Sequence, residues 1–236
     1  IMLSPELYAV VLAHIRVSAL SKAFHVQYTA QKCFRLRERM LISASGCREE
    51  VQAMSFTLNR QYRMIKSLSG NGREEDTGKD QKQLLALTRE QYEQTGYIQL
   101  QLTSVASEMA LSADKLLFTL LKAQHYQWRD RLYIAVLTEQ MNELIEDEKS
   151  CLLGRWIHGE GMRRFRALPG FRELDARHRY MHEVSMTLFD RELNRFRAND
   201  LRKTLLKTEE ASQQLLAALD CLDERVGLLY PGSENT

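Results

Sequence analysis

The sequence predicts an all-α protein in which a long antiparallel coiled-coil hairpin is joined to a bundle of helices. Only three prolines occur in 236 residues, and apolar residues recur at helical spacing on both sides of one glycine-rich break. We place the hairpin over residues 1–110, the bundle over residues 111–230 and a flexible tail over residues 231–236.

The first helix has a clear start signal in "SPELYAVVLAHIRVSAL", where Ser4 is a good N-cap and Pro5 suits the first helical position. We expect this helix to continue into the first arm of the hairpin. Antiparallel packing would then place residues 4–20 beside the segment that follows His125.

Heptad spacing defines the two arms of the hairpin, and "SGNGREEDTGKDQ" at residues 69–81 supplies the predicted turn between them. Folding about this turn would bring Met54 near Ile98 and Cys47 near Val105. The predicted seam of the first arm, which is broken at Arg37 and thinned at Gln61, consists of Val26, Ala30, Cys33, Met40, Ala44, Cys47, Val51, Met54, Leu58 and Ile65. In the second arm it consists of Gln91, Thr95, Ile98, Leu102, Val105, Met109, Ser112 and Leu116.

Composition restricts the compartment and the class of partner. The formal net charge of +2 gives no general drive toward nucleic acid, and no apolar run approaches the roughly 20 residues that span a bilayer. No secretory signal is seen, so we expect a soluble, cytoplasmic protein. Four scattered cysteines do not resemble a disulfide framework and predict reduced thiols, with Cys33 and Cys47 buried in the seam.

Candidate metal ligands are concentrated in the second half of the chain. His178 and His182 lie at positions i and i+4 of a predicted helix, so both imidazoles project from one side. Cys151 begins "CLLGRW", where a helix N-terminus would favour the thiolate that binds metal. His125 lies in an amphipathic helix with Trp128 three residues later. Imidazole and thiolate ligands favour Zn²⁺, whereas His158, near two glycines, is expected to lie in a loop.

These residues resemble the chemoreceptor zinc-binding domain family of bacteria over roughly residues 110–228. The resemblance is carried by His125 with Trp128, a Cys-x-x-Gly-x-Trp stretch at residues 151–156, Phe165 with Pro169, and the His178 and His182 pair. It implies a four-helix bundle, commonly homodimeric, that senses zinc or oxidants. The ligands that it implies for zinc are His125, Cys151, His178 and His182.

The sequence leaves three functional interpretations open. The leading one is a sensory protein, not an enzyme. In this interpretation, zinc ligation in the bundle alters the conformation of the hairpin and so affects a bound signalling partner of unknown identity. No Gly-Gly-Asp-Glu-Phe motif is present to support cyclase activity. A structural zinc site is the first alternative. A zinc hydrolase is the second, but four protein ligands would fill the tetrahedron that a hydrolase leaves open.

Two surface features complete the sequence-based expectations. Arginines in residues 155–179 are either a solvated face or a docking surface for an acidic partner or a nucleotide; they are Arg155, Arg163, Arg164, Arg166, Arg172, Arg177 and Arg179. Apolar residues outside the predicted seam favour pairing of two hairpins in a homodimer; they are Phe24, Phe34, Leu41, Phe56, Tyr62 and Tyr97.

Overall fold

The structure is a computed structural model that describes residues 3–70, 77–140 and 145–230. Helices and turns account for these residues, and no strand occurs among them, which confirms the all-α prediction. The α-helices are α1 (Pro5–Gly70), α2 (Thr77–Thr138), α3 (Leu152–Trp156), α4 (Met162–Phe165), α5 (Phe171–Met186) and α6 (Ala198–Arg225). A π-helix, Ile157–Gly161, joins α3 to α4, and short 3-10 turns cover Thr187–Phe189, Leu193–Arg195 and Val226–Leu229.

The connection between the two long helices is shorter than the sequence predicts. Helix α1 extends to Gly70 and α2 begins at Thr77, so both helices enter the predicted turn at residues 69–81. Residues 71–76 and the predicted tail at residues 231–236 lie outside the described residues. At the other end of α1 the predicted cap is present, because the amide of Leu7 donates to Ser4 Oγ at 3.3 Å.

The chain divides into two compact units. One contains the described residues through Cys33 together with Ala113–Leu229, and the other contains Phe34–Ser112 with Tyr230. The first part of α1 therefore belongs to the same unit as the second half of the chain. The predicted boundaries of the hairpin at residues 1–110 and of the bundle at residues 111–230 stay a prediction.

Four helical segments form the bundle of the first unit: the beginning of α1, the end of α2, α5 and α6. His14 of α1 lies 2.6 Å from the hydroxyl of Tyr133 on α2, as the predicted antiparallel packing requires. Lys32 of α1 pairs with Asp223 of α6 at 2.5 Å. The fully buried apolar residues include Phe118, Leu132, Ile157, Phe165, Leu174, Leu201, Leu215, Leu219 and Leu222.

The second unit is the antiparallel hairpin, and its register agrees with the prediction. Gln91 donates a hydrogen bond to Gln61 at 2.5 Å. In an antiparallel pair this contact lies seven residues along each helix from the predicted pair of Met54 and Ile98, so it has the predicted register. Arg39 and Glu108 form an ion pair at 3.0 Å further along the same two helices.

Much of the predicted seam is wrong, because both tracks of the first arm and one track of the second arm include exposed residues. Thr57 and Glu108 are buried, whereas Leu58 and Met109, one position later, are about half exposed. Heptad periodicity defines several parallel tracks on a helix, but it does not decide which two tracks face the partner helix. The apolar seam candidates that lie exposed are Val26, Met40, Val51, Leu58, Ile65, Leu102, Met109 and Leu116.

The cysteines of the first arm also differ from the prediction. Cys33 is exposed and Cys47 is half-buried, so neither is the fully buried thiol that the heptad pattern predicted. All four cysteines are free in the described part of the chain, which agrees with the expectation of reduced thiols.

Helix α1 is long and apolar enough to cross a membrane by length and composition alone. Its most apolar 18-residue window has a mean hydropathy of 1.3, and only 22% of that window is buried. Helices of soluble bundles pass the same test, so the expectation of no membrane span stays a prediction. The exposure of the window leaves an uncovered apolar face on α1, where Leu20, Phe24 and Val26 are all more than 60% exposed.

A tight turn at residues 147–151 precedes α3, and its path depends on Gly154 within that helix. Asp147 Oδ1 accepts hydrogen bonds from the amides of Lys149 and Ser150 at 2.9 and 2.7 Å. The backbone then passes so close to α3 that a Cβ on Gly154 would lie 1.9 Å from the carbonyl oxygen of Glu148 and 3.2 Å from His178 Cε1. Only glycine fits this approach without a backbone shift.

Substitution Gly154→Ala is expected to destabilise the fold by roughly 2 kcal/mol or more, because a methyl group must displace the Glu148 carbonyl. Gly96→Ala, within helix α2, is the control, since a Cβ at Gly96 meets no atom within 4 Å. The free energy of unfolding of both variants, measured by chemical denaturation, checks this prediction. Equal losses in the two variants would contradict the packing argument.

Candidate metal centre

The turn before α3 and one face of α5 together create a cluster of three potential metal ligands. Cys151, His178 and His182 each offer one ligand atom, and these atoms all lie within 4.8 Å of one another. Cys151 Sγ and His178 Nε2 are 3.2 Å apart. The three residues are 4%, 2% and 7% exposed, so the cluster lies in the interior of the bundle.

Each ligand is positioned by its local backbone. Cys151 is the N-cap of α3, and its Sγ accepts a hydrogen bond from the amide of Gly154 at 3.3 Å. His178 and His182 are one turn apart on α5, with ring centroids separated by 4.7 Å. The predicted i, i+4 arrangement is therefore present and faces the turn that carries Cys151.

His125 shares the cavity with this cluster but is outside the group of close ligand atoms. The cavity is lined by His125, Trp128, Cys151, His178 and His182, among other residues. The Trp128 ring lies between the histidines, 6.4 Å from the ring of His125 and 4.5 Å from that of His182. The structure thus brings three of the four predicted ligands together and places the fourth beside them.

One ring nitrogen of His125, Nε2, forms a hydrogen bond with Ser212. His125 Nε2 lies 2.7 Å from Ser212 Oγ, and both side chains are buried. If this hydrogen bond is retained, Nδ1 is the atom that His125 can offer to a metal ion.

Burial keeps the imidazoles of the site neutral. It lowers the pKa of His125 and His178 to about 3 and the pKa of His182 to about 4. The positive charge of Arg129 lowers the pKa of His125 further, whereas the carboxylate of Asp147 partly opposes the change at His182. Neutral imidazole is the form that binds metal, so these side chains need not lose a proton at pH 7.

The thiol of Cys151 behaves differently from the sequence-based expectation. We expected its position at a helix N-terminus to favour thiolate, and the Gly154 amide does lower its pKa. Burial has the larger effect and raises the pKa of the Cys151 thiol. Helix α3 has only five residues, so its dipole lowers the pKa of the thiol by less than burial raises it.

The ligand set fits zinc. Two imidazoles and one thiol are the nitrogen and sulfur ligands that Zn²⁺ prefers, and a tetrahedral ion would separate sulfur from nitrogen by about 3.5 Å. The 3.2 Å between Cys151 Sγ and His178 Nε2 is close to that value. His178 Nδ1 is buried and has no hydrogen-bond partner among the described residues. It is the nitrogen that remains if Nε2, which faces Cys151 Sγ, is the one offered to the ion.

His158 is not part of the cluster. Its side chain is 46% exposed, and its Nε2 lies 3.8 Å from a carboxylate oxygen of Asp175. The sequence-based interpretation of His158 as a residue outside the ligand set agrees with this position, although it lies in the π-helix and not in a loop.

Aromatic residues named by the resemblance form a wall next to the site. The Trp156 ring lies 5.7 Å from that of Phe165, and Phe118 of α2 contacts both at 6.1 and 5.5 Å. This wall packs the short elements between residues 152 and 165 against α2.

The arginines of residues 155–179 divide into two groups. Arg164 pairs with Asp114 at 2.8 Å, and Arg177 and Arg179 pair with carboxylates one turn earlier on α5. These three have the local partners that a solvated face predicts. The remaining arginines, Arg155, Arg163, Arg166 and Arg172, are exposed.

Two buried residues beside the site carry no signal in the sequence. Ser212 contacts His125 from α6, 87 positions away in the chain. Arg129, which is 0% exposed, donates to Ser212 Oγ at 3.2 Å. Neither residue type nor spacing predicts these contacts, since they arise only when α6 packs on α2.

Comparison with protein-family models matches residues 125–188 to the family described as the chemoreceptor zinc-binding domain. The matched span begins at His125 and includes Cys151, His178 and His182. Comparisons with curated proteins and with solved structures gave no match. This match over residues 125–188 agrees with the resemblance seen in the sequence.

Proposed function

We propose that this chain is a sensory protein whose zinc site consists of His125, Cys151, His178 and His182. The observation that carries the proposal is the convergence of Cys151, His178 and His182 within 4.8 Å, inside the span that matches the zinc-binding family. A Zn²⁺ ion bound there would supply a redox-inert charge that organises these ligands. His125, which lines the same cavity, is proposed as the fourth ligand.

Helix α2 offers a route from the site to the hairpin. His125 lies on α2, and that helix runs without interruption from Thr77 to Thr138. We propose that ligation of His125 alters the hairpin through this shared helix, and that a signalling protein responds to the change.

Two other functions make different predictions. A purely structural zinc site would leave the bundle unfolded after chelation, whereas a sensory bundle keeps its helicity. A zinc hydrolase would require three protein ligands, a bound water molecule and a general base. We favour a non-catalytic role, because the matched family is one of chemoreceptor zinc-binding domains.

The proposed setting is the cytoplasm, with a homodimer as the assembly and an unidentified signalling protein as the partner. Nucleic acid is not proposed as a partner, since the net charge is only +2. The exposed arginines near the site are available to an acidic partner, which binding measured at several salt concentrations would reveal.

Single substitution of a proposed ligand is expected to weaken zinc binding by at least about a hundredfold, because water must replace a protein ligand. The variants are His125→Ala, Cys151→Ala, His178→Ala and His182→Ala, with zinc affinity measured by competition against a chromophoric chelator. His158→Ala is the matched control and should bind zinc as the unchanged protein does. Zinc released by His158→Ala but retained by His125→Ala would overturn the ligand set.

Zinc binding at pH 7 is expected to release about one proton per ion. The three imidazoles are already neutral, since their pKa values are lowered to about 3 or 4, whereas the Cys151 thiol has a raised pKa and must lose its proton. Titration calorimetry in buffers of different ionisation enthalpy gives this number. It should stay near one at pH 6, where three ordinary imidazoles of pKa about 6.5 would add roughly two more protons.

Oxidation of Cys151 is expected to release the ion. A thiolate attacks hypochlorous acid to give sulfenic acid and chloride, and the oxidised sulfur is a weaker zinc ligand. Because Cys151 is 4% exposed, only a small oxidant should reach it. Stoichiometric hypochlorite should release zinc from the unchanged protein, as followed with a chromophoric chelator and by mass spectrometry. Zinc retained while Cys151 is oxidised, or equal release from Cys151→Asp, would contradict the switch.

Dimerisation through the hairpin is expected because its apolar residues are uncovered. The exposed apolar residues of the hairpin include Phe34, Leu41, Phe56, Tyr62 and Tyr97, and Phe24 of the first unit is exposed too. Phe56→Glu should shift the dimer toward monomer at micromolar concentration, measured by light scattering. Asn59→Glu, at an exposed polar position of the same helix, is the control. A monomeric unchanged protein would contradict the proposed assembly.

A further inference from the structure

We infer that Ser212 is a positioning residue for His125: it accepts the Nε2 proton in the zinc-bound protein and so assigns Nδ1 to the ion. The inference rests on the proposed function, and it adds a residue that lies outside the matched span of residues 125–188. Its starting point is the 2.7 Å separation of His125 Nε2 and Ser212 Oγ in the interior of the bundle.

The chemistry of a ligating histidine requires such a partner. A neutral imidazole carries one proton, and metal binding uses the nitrogen that lacks it. The other nitrogen then donates its proton to a nearby acceptor, which fixes the orientation of the ring. Since Nε2 of His125 is the nitrogen that faces Ser212, Nδ1 is the one left for zinc.

Arg129 holds Ser212 in place. Its guanidinium is 0% exposed and donates from Nη1 to Ser212 Oγ and to both carboxylate oxygens of Glu209, each at 3.2 Å. Nη2 donates to the backbone carbonyl of Ser18 on α1, also at 3.2 Å. Arginine has no acceptor atom, so it occupies one lone pair of the serine oxygen and leaves the second available to the histidine proton.

The arrangement also explains why a hydroxyl group suits this position. A serine hydroxyl can donate to a bare Nε2 or accept from a protonated one by rotation of its O–H bond. The hydrogen bond to His125 can therefore persist whether or not zinc is bound. Arg129 and Glu209 meanwhile fix the position of the oxygen relative to α1 and α6.

Ser212→Ala is expected to weaken zinc affinity by about 10- to 100-fold, the range found when a partner of a metal-binding histidine is removed. Ser185→Ala is the matched control. Ser185 is equally buried, but its hydroxyl donates to the carbonyl of Met181 on its own helix at 2.6 Å. The control should keep the zinc affinity of the unchanged protein.

A spectroscopic measurement separates positioning from general stability. In zinc-loaded protein labelled with ¹⁵N, imidazole spectra should show His125 with a proton on Nε2 and a metal-bound Nδ1. Ser212→Ala should lose the slow exchange of the Nε2 proton. Metal bound through Nε2, or an unchanged affinity in Ser212→Ala, would overturn the inference.

The failure of this inference can be told apart from failure of the proposed function. If the unchanged protein binds no zinc, or binds it without Cys151, the proposed function is wrong. If the ligand substitutions abolish binding while Ser212→Ala does not weaken it, the zinc site stands and only the role of Ser212 is rejected.

Discussion

The proposed metal site depends on the burial of its nitrogen and sulfur ligands. The close cluster of Cys151, His178 and His182 contains no carboxylate. Cys151, His178 and His182 are each less than a tenth exposed, and burial keeps the imidazoles neutral. A buried polar atom without a partner costs roughly 1–3 kcal/mol. A cation bound by these nitrogens would offset that cost, because it uses the lone pairs that burial has left unprotonated. Under the proposed function, packing of the bundle and affinity for metal are therefore linked.

The ligands are carried by elements of very different regularity. His178 and His182 lie on α5, a 16-residue helix, and His125 lies on the long helix α2. Cys151 instead caps a five-residue helix and is held by the Asp147 turn and by the close approach of Gly154. The proposed ligand that can be oxidised is thus on the shortest of the three helices.

Local patterns in the sequence predicted the features that depend on local geometry. The i, i+4 spacing of His178 and His182 and the Ser4 cap were both readable, because they involve residues within one helical turn. The sequence did not show which heptad positions of the hairpin face the partner helix. The same heptad spacing allows either Leu58 or Thr57 to do so, and Thr57 is the buried one. The contacts of Ser212 with His125 were also unreadable, because α6 reaches α2 only through tertiary packing. The raised pKa of Cys151 likewise depends on burial in the folded chain.

X-ray absorption at the zinc edge of the zinc-loaded protein tests the central claim most directly. The account predicts one ion per chain with one sulfur at about 2.3 Å and three nitrogens at about 2.0 Å, and a spectrum unchanged by inhibitors that displace bound water. Three protein ligands with an exchangeable water oxygen, or a first shell without sulfur, would contradict it.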